Sequence, residues 1–181
     1  VWNNQLSMFR YHSTLKDSHF FASPWYQWPL ILKPTWFYQA GNLPQGMVGT
    51  IGTLGNPAVW WVGTVAMAYM LVTLVRERGR DKVALFIALG FAAQFLPWVL
   101  VPRSTFIYHY FASTPFFILA IVWSIRRLLE HKRLSWKAVW VYGAVVVLLF
   151  VAFYPVLSGL PIPVSYARLL KWMPTWYFIP T

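Results

Sequence analysis

Four stretches of this sequence, 57–75, 83–101, 106–125 and 138–157, contain no Asp, Glu, Lys or Arg. A helix of about 20 residues rises about 30 Å, the thickness of a hydrocarbon core. Lipid offers backbone groups no water, so a chain that enters it must bond them internally, and helices do so within one segment. The composition agrees: 59% of residues are hydrophobic and 10% are charged, against about 25% charged in soluble domains. The predicted fold class is an all-α membrane protein, with four transmembrane helices preceded by an extracytoplasmic amphipathic and aromatic segment.

The connections between the stretches set an orientation. Residues 76–82 and 126–137 hold nine of the fifteen Lys and Arg, and both fall on one side if all four stretches span. The positive-inside rule makes that side cytoplasmic. The chain before residue 57, the turn at 102–105 and the chain after 157 then lie on the extracytoplasmic side. A net charge of +11 could suggest nucleic acid, but it sits in short loops between apolar segments, where lipid headgroups are the fitting partner and no nucleic acid is expected. The expected layout is 1–56 as an extracytoplasmic interfacial helix and loop, 57–157 as the four-helix domain and 158–181 as an extracytoplasmic tail. The expected location is a multi-pass protein of the cell membrane.

Within the first 56 residues, Trp2, Leu6 and Phe9 recur at helical spacing, which predicts a short interfacial helix. Prolines at 24, 29 and 34 forbid a regular helix over the next stretch. Residues 41–57 read as a glycine-rich loop without the Gly-Lys-Ser/Thr ending of a phosphate-binding loop. The chain is 20% aromatic, most of it assignable to interfacial belts. Trp25, Tyr26, Trp28, Trp36, Phe37 and Tyr38, however, crowd the proline-stiffened loop and suit a cover over a sugar or lipid tail.

Arg103 and His109 stand at the mouth of the third stretch. A helix start at Ser104 or Thr105 would have a hydroxyl cap and leave Arg103 at headgroup level. Snorkelling and an interhelical hydrogen bond are the plain explanations for the pair, yet ionisable residues at such positions are functional candidates. A guanidinium fork matches phosphate oxygens. Pro115 is expected to kink this helix. His12, His19 and Asp17 are too few for a metal centre, and no metal or cofactor is expected. The chain has no cysteine. Its start at Val1 lacks the pattern of a signal peptide, and a piece of a larger protein is expected. Asp17 is the single carboxylate on the extracytoplasmic side, while Glu77, Asp81 and Glu130 fall in the basic loops, where a solvated face is expected.

Several blocks resemble the C-terminal four-transmembrane region of protein O-mannosyltransferases, and the short loops resemble the bacterial members. They are "MFRYHSTLKDSHFFASPWYQWPLILKPTWFY" (8–38), "GTLGNPAVWW" (52–61), "RSTFIYHYFASTPF" (103–116) and "YPVLSGLPIPVSYARLLKWMPTWYF" (154–178). Together they cover nearly the whole chain in order. One departure is His19-Phe20-Phe21, where the family often has His-Pro-Tyr. The resemblance implies an enzyme that moves mannose from a polyprenyl (dolichyl-type) phosphate to Ser or Thr hydroxyls of an acceptor protein, with inversion at the anomeric carbon. It also implies that the catalytic acidic pair lies in an N-terminal transmembrane half of the same enzyme, so that no catalytic residue is assigned in this chain. By the same resemblance, Arg103, Tyr108 and His109 would form the donor phosphate and lipid-sugar pocket, and Tyr11, His12, Trp25 and Trp28 its extracytoplasmic cover. Two alternatives stay open: a related lipid-phosphate-sugar transferase acting on lipid or glycan, and a non-catalytic transporter or sensor domain. The latter would want polar residues at the midplane, where Gln94 stands nearly alone.

Overall fold

A computed structural model describes residues 2–14 and 19–179, with the side chains of 12–14 excluded. Asp17 lies outside the described residues, as does the His12 side chain. The chain opens on α1 (Trp2–Thr14), the short helix that the spacing predicts. Its apolar residues stay largely exposed: Trp2 is 74% exposed and Phe9 72%.

Three of the long helices begin where a polar side chain can take up the free N–H groups of a first turn. Asn56 caps α2 (Pro57–Arg76): its Oδ1 accepts the Ala58 N–H at 3.0 Å, and Pro57 occupies the first turn, where its missing N–H costs nothing. Asp81 caps α3 (Lys82–Phe95), its Oδ1 accepting the N–H groups of Val83 and Ala84 at 2.9 and 3.0 Å. Ser135 caps α5 (Trp136–Ser158), which ends at Gly159 with φ 80°, the left-handed residue that closes many helices.

Two prolines reshape the middle pair. Pro97 lacks an N–H and its ring crowds the carbonyl four residues earlier, so α3 tightens into a 3₁₀ helix over Leu96–Leu100. Pro115 acts likewise on the third stretch: Ile107–Ser113 is 3₁₀, and the α-helix α4 runs only over Thr114–Glu130. The expected helix start at Ser104 or Thr105 is therefore corrected. The helical part begins at Ile107, with no side-chain cap from Phe106. Thr105 is committed elsewhere, as the site geometry makes plain.

Four helical segments are long and apolar enough to cross a membrane: Pro57–Arg76, Lys82–Leu100, Ile107–Glu130 and Trp136–Ser158. The chain is thus an integral, multi-pass membrane protein built mainly of helices. Close approach fixes the packing. A Cβ on Gly63 of α2 would lie 2.6 Å from the Phe117 ring of α4, and one on Gly90 of α3 would lie 2.1 Å from the Phe116 ring. Such small-residue contacts are how helices associate where lipid removes the hydrophobic drive. Trp60, Met70, Tyr110, Phe117 and Ala120 form the buried centre of this contact.

At one end of the bundle the two basic connections meet, as alternation of the spans requires. Glu77 pairs with Arg127, and the Trp123 indole N–H donates to Asp81 Oδ2 at 2.8 Å. Arg126 pairs with Glu130 at 2.8 Å. Where a solvated face is expected, Glu77 and Asp81 instead tie α2, α3 and α4 together through Arg127 and Trp123, whereas the Arg126–Glu130 pair lies within α4 and stays exposed.

The opposite end carries a cap. β1 (Thr35–Gln39) pairs antiparallel with β3 (Thr50–Thr53), with an irregularity between Trp36 and Tyr38. β2 (Met47–Val48) pairs with β4 (Ile162–Pro163), which leads into α6 (Val164–Leu170). The glycine-rich loop expected at 41–57 therefore contains strands. The expected tail folds onto the segment before α2, and Trp176 and Phe178 are fully buried there. The start of α2 meets the middle of α5: Tyr142 Oη donates to Ala58 O at 3.3 Å, and Asn56 Nδ2 to Val146 O at 2.8 Å. Residues 147–158, about 18 Å of helix, thus pass beyond α2 and back the cap, where Phe153 and Val156 are buried.

Candidate functional site

Arg103 lies in the bend between the two 3₁₀ helices, after Pro102. Three hydrogen-bonded residues hold that bend. The Ser23 N–H donates to Thr105 O at 2.8 Å, and Thr105 Oγ1 donates back to Ser23 O at 2.8 Å. The Trp28 indole N–H reaches both Ser23 O and Ser23 Oγ at 3.0 Å. Thr105 is thereby used to dock the 19–34 loop on the bundle, which is why it caps no helix. All these groups are buried, and leaving any of them unpaired would cost about 1–3 kcal/mol.

Arg103 is shared by two grooves. The first, of about 360 Å³, is lined by Ser23, Pro24, Trp25, Trp98, Ser104 and Thr105 among others. The second, of about 430 Å³, runs between α1 and the bend, and its walls are Gln5, Met8, Phe9, Leu100, Val101 and Pro102. One groove offers hydroxyls and indoles, the other mainly apolar side chains. Arg103 makes no ion pair among the described residues, and the carboxylates among them, Glu77, Asp81 and Glu130, cluster at the far end.

His109 sits behind the first groove. Its ring centroid is 4.2 Å from that of Trp98, 4.5 Å from Tyr108 and 6.0 Å from Trp28, near parallel to the last at 21°. Its Nδ1 is engaged by the Phe106 backbone, with the Phe106 N–H at 3.2 Å and the carbonyl at 2.9 Å. Nε2 has no hydrogen-bond partner among the described residues. Tyr108 does not line the groove that holds Arg103. It is 37% exposed and stacks on Phe106 at 5.4 Å and on Phe37 of β1 at 6.0 Å.

The residues expected as a cover separate. Trp25 lines the groove with Arg103 and packs edge-on against Phe95 at 5.6 Å. Trp28 is fully buried, so that it supports His109 and Trp98 from behind and does not roof a cavity. Tyr11 is 65% exposed on α1, and of His12 only the backbone, in the same helix, is described. Sequence reasoning passed over Trp98 and Ser23 and read Thr105 only as a helix cap. Trp98 falls among the aromatic residues that read as interfacial belt, although its place after Pro97 and five residues before Arg103 is a signal.

Chemically, a guanidinium with a fixed backbone, beside hydroxyls and two indoles and facing an apolar trough, suits an amphipathic anion. The forked N–H donors match phosphate oxygens, indole faces suit a sugar ring, and the apolar trough suits a chain.

Comparison with known proteins follows the same line. The family described as the C-terminal four-TMM region of protein-O-mannosyltransferase matches residues 1–176. The polyprenol-phosphate-mannose–protein mannosyltransferase of Mycolicibacterium smegmatis (strain ATCC 700084 / mc(2)155) is 29% identical over 195 residues, covering 97% of this chain and 37% of that protein. The protein of the same name from Mycobacterium tuberculosis (strain ATCC 25618 / H37Rv) is 29% identical over 194 residues, with the same coverage. Dolichyl-phosphate-mannose–protein mannosyltransferase 1 of Saccharomyces cerevisiae is 23% identical over 190 residues, 93% of this chain and 22% of that one. The solved S. cerevisiae protein O-mannosyltransferase Pmt1-Pmt2 complex bound to the sugar donor has the same fold over 98% of this chain and 26% of its own, with a TM-score of 0.79 at 20% identity. The chain spans little more than a third of the length of the bacterial relatives it matches.

Proposed function

Since this chain belongs to the protein O-mannosyltransferase family, as its C-terminal four-transmembrane region, we propose that it holds the phosphate and lipid of a polyprenyl-phosphate mannose donor while mannose passes to a Ser or Thr hydroxyl of an acceptor protein. The observation that carries this reading is the position of Arg103 between a hydroxyl- and indole-lined groove and an apolar one. In this reading the donor phosphate lies on the Arg103 guanidinium, the mannose against Trp25 and Trp98, and the chain along Met8, Phe9 and Leu100. The cap end faces outward, since the other end carries the basic connections, and the membrane is the cell membrane.

In the reaction the bond from mannose C1 to the phosphate oxygen breaks, and a bond from C1 to the acceptor hydroxyl oxygen forms on the opposite face. The hydroxyl proton goes to a carboxylate, for which the N-terminal half is the source. The electron pair leaves with the phosphate, whose growing charge Arg103 stabilises. His109 backs Trp98, which lines the groove, and Tyr108 packs against His109 outside that groove.

The test is a transfer assay on the full-length enzyme in lipid nanodiscs, with radiolabelled polyprenyl-phosphate mannose and separated acceptors: a Ser/Thr-rich peptide, a lipid acceptor and an oligosaccharide. Label on the peptide supports the reading. Label confined to lipid or glycan replaces it with a lipid or glycan transferase, and label on none of them removes the transferase reading.

A further inference from the structure

The turn that follows Trp28 carries an unusual backbone. Ile31 has φ 55° and ψ 40°, the left-handed region, although it is β-branched and fully buried. A β-branched residue there is a genuine outlier and persists only where its surroundings over-determine it. The determining contacts fall on four consecutive carbonyls. Pro29 O accepts from Thr64 Oγ1 at 3.1 Å and Leu30 O from the Trp61 indole N–H at 3.0 Å, both donors standing on α2. Ile31 O accepts from the Trp176 indole N–H at 2.7 Å, and Leu32 O from Thr175 Oγ1.

The second pair of donors comes from the last part of the chain. Trp176 is fully buried and wedged between Phe153 at 5.9 Å, Trp172 at 6.0 Å and Phe178 at 6.1 Å. Its bond to Ile31 closes a short path to the site. The Ile31 N–H donates to Trp28 O at 3.0 Å, and the Trp28 ring rests on His109 and Trp98. If Ile31 relaxed to the ordinary right-handed region, its φ would swing by more than about 100°, and Trp28 would lose its aim.

Resting on the reading that the Arg103 groove takes a lipid-linked sugar phosphate, we propose that Trp176 is a positioning residue for that groove. Its indole N–H holds Ile31 in the left-handed turn and thereby fixes Trp28 against His109 and Trp98. The donors on α2 belong to a membrane span and stay in place. The donors at 175 and 176 couple the end of the chain to the shape of the donor site. Trp176 touches neither substrate nor reacting atoms, and acts through Trp28.

The test uses full-length enzyme in nanodiscs and the substitution Trp176→Phe, which keeps a buried ring and removes the N–H. The donor KM is expected to rise about tenfold, the loss of one buried hydrogen bond, with the acceptor KM within about twofold. Ile31→Gly supplies the rescue, because glycine takes the left-handed turn unaided. In that background Trp176→Phe is expected to raise the donor KM less than about threefold. A lowered melting temperature with unchanged donor KM overturns the proposal, and so does the same tenfold rise in both backgrounds. Fluorine NMR of 5-fluorotryptophan-labelled protein reads Trp28 directly, its resonance assigned by Trp28→Phe. Trp176→Phe is expected to shift it. A shift together with no mannosyl transfer by the unmodified enzyme sinks the donor reading and keeps the coupling, whereas an unmoved resonance sinks the coupling whatever the activity.

Discussion

Asp81 serves three elements with one carboxylate. Oδ1 caps α3 through Val83 and Ala84, and Oδ2 receives the Trp123 indole of α4. The Ala84 N–H bond is the largest influence on its titration, and with Trp123, Val83 and the Arg127 charge it outweighs desolvation, holding the carboxyl below its ordinary 3.8. A carboxyl whose folded pKa is depressed adds stability that is whole above the unfolded value and is lost as pH falls through the folded one. Thermal melting across pH should therefore show the unmodified protein losing its advantage over Asp81→Asn as pH drops below 3.8. At neutral pH Asp81→Asn should melt lower. Equal melting curves at neutral pH would contradict the role. Asp81 also illustrates what a sequence hides at this scale. A carboxylate in a basic loop reads as solvated, and Trp28 in a proline-rich loop reads as a cover. Both are defined by partners about 40 or more residues away in one case and by a bend some 80 residues on in the other.

Among the elements, the four spans were legible because a stretch free of charge for about 20 residues has few other fates. The 3₁₀ segment over Ile107–Ser113 was partly legible, since Pro115 marks a place where an α-helix must yield, and Pro97 is the matching signal for Leu96–Leu100. The cap strands were not. β1 keeps only five residues between Pro34 and the loop, and β2 pairs with β4 across the whole four-helix domain, so no local pattern announces the pairing. Contact between α2 and α4 depends on Gly63, whose missing side chain admits the Phe117 ring. Gly63→Ala should destabilise the protein by about 1–3 kcal/mol through overpacking, read as a lower melting temperature. Gly143→Ala on α5, where a Cβ meets nothing within 4 Å, should leave melting unchanged or raise it slightly through helix propensity. Equal effects of the two substitutions would show that this close approach does not set the packing.

At the scale of the whole molecule, the two ends of the bundle do different work. One gathers the paired charges of Glu77, Arg127, Arg126 and Glu130, and the other folds the last part of the chain onto the segment before α2, which with α1 lines the grooves at Arg103. The outward faces of α3 and α5 stay apolar, with Phe86, Leu89, Val147 and Leu148 exposed. On the proposed reading lipid and the N-terminal half of the enzyme cover them, and that half brings the carboxylate to a site this chain only partly builds. The blocks around Arg103 were visible in the sequence, whereas Trp98 behind it and the Ser23–Thr105 lock were not, because folding alone sets a loop residue beside a bend. The central claim is that Arg103 holds the donor phosphate. Its most direct test is polyprenyl-phosphate affinity of the full-length enzyme with Arg103→Ala and Arg103→Lys. A charge-assisted hydrogen bond contributes about 1.5–3 kcal/mol, so Arg103→Ala should weaken binding roughly 10- to 150-fold. Arg103→Lys should fall between, keeping the charge without the fork, and both variants should melt like the unmodified protein. Unchanged affinity in Arg103→Ala would contradict the account.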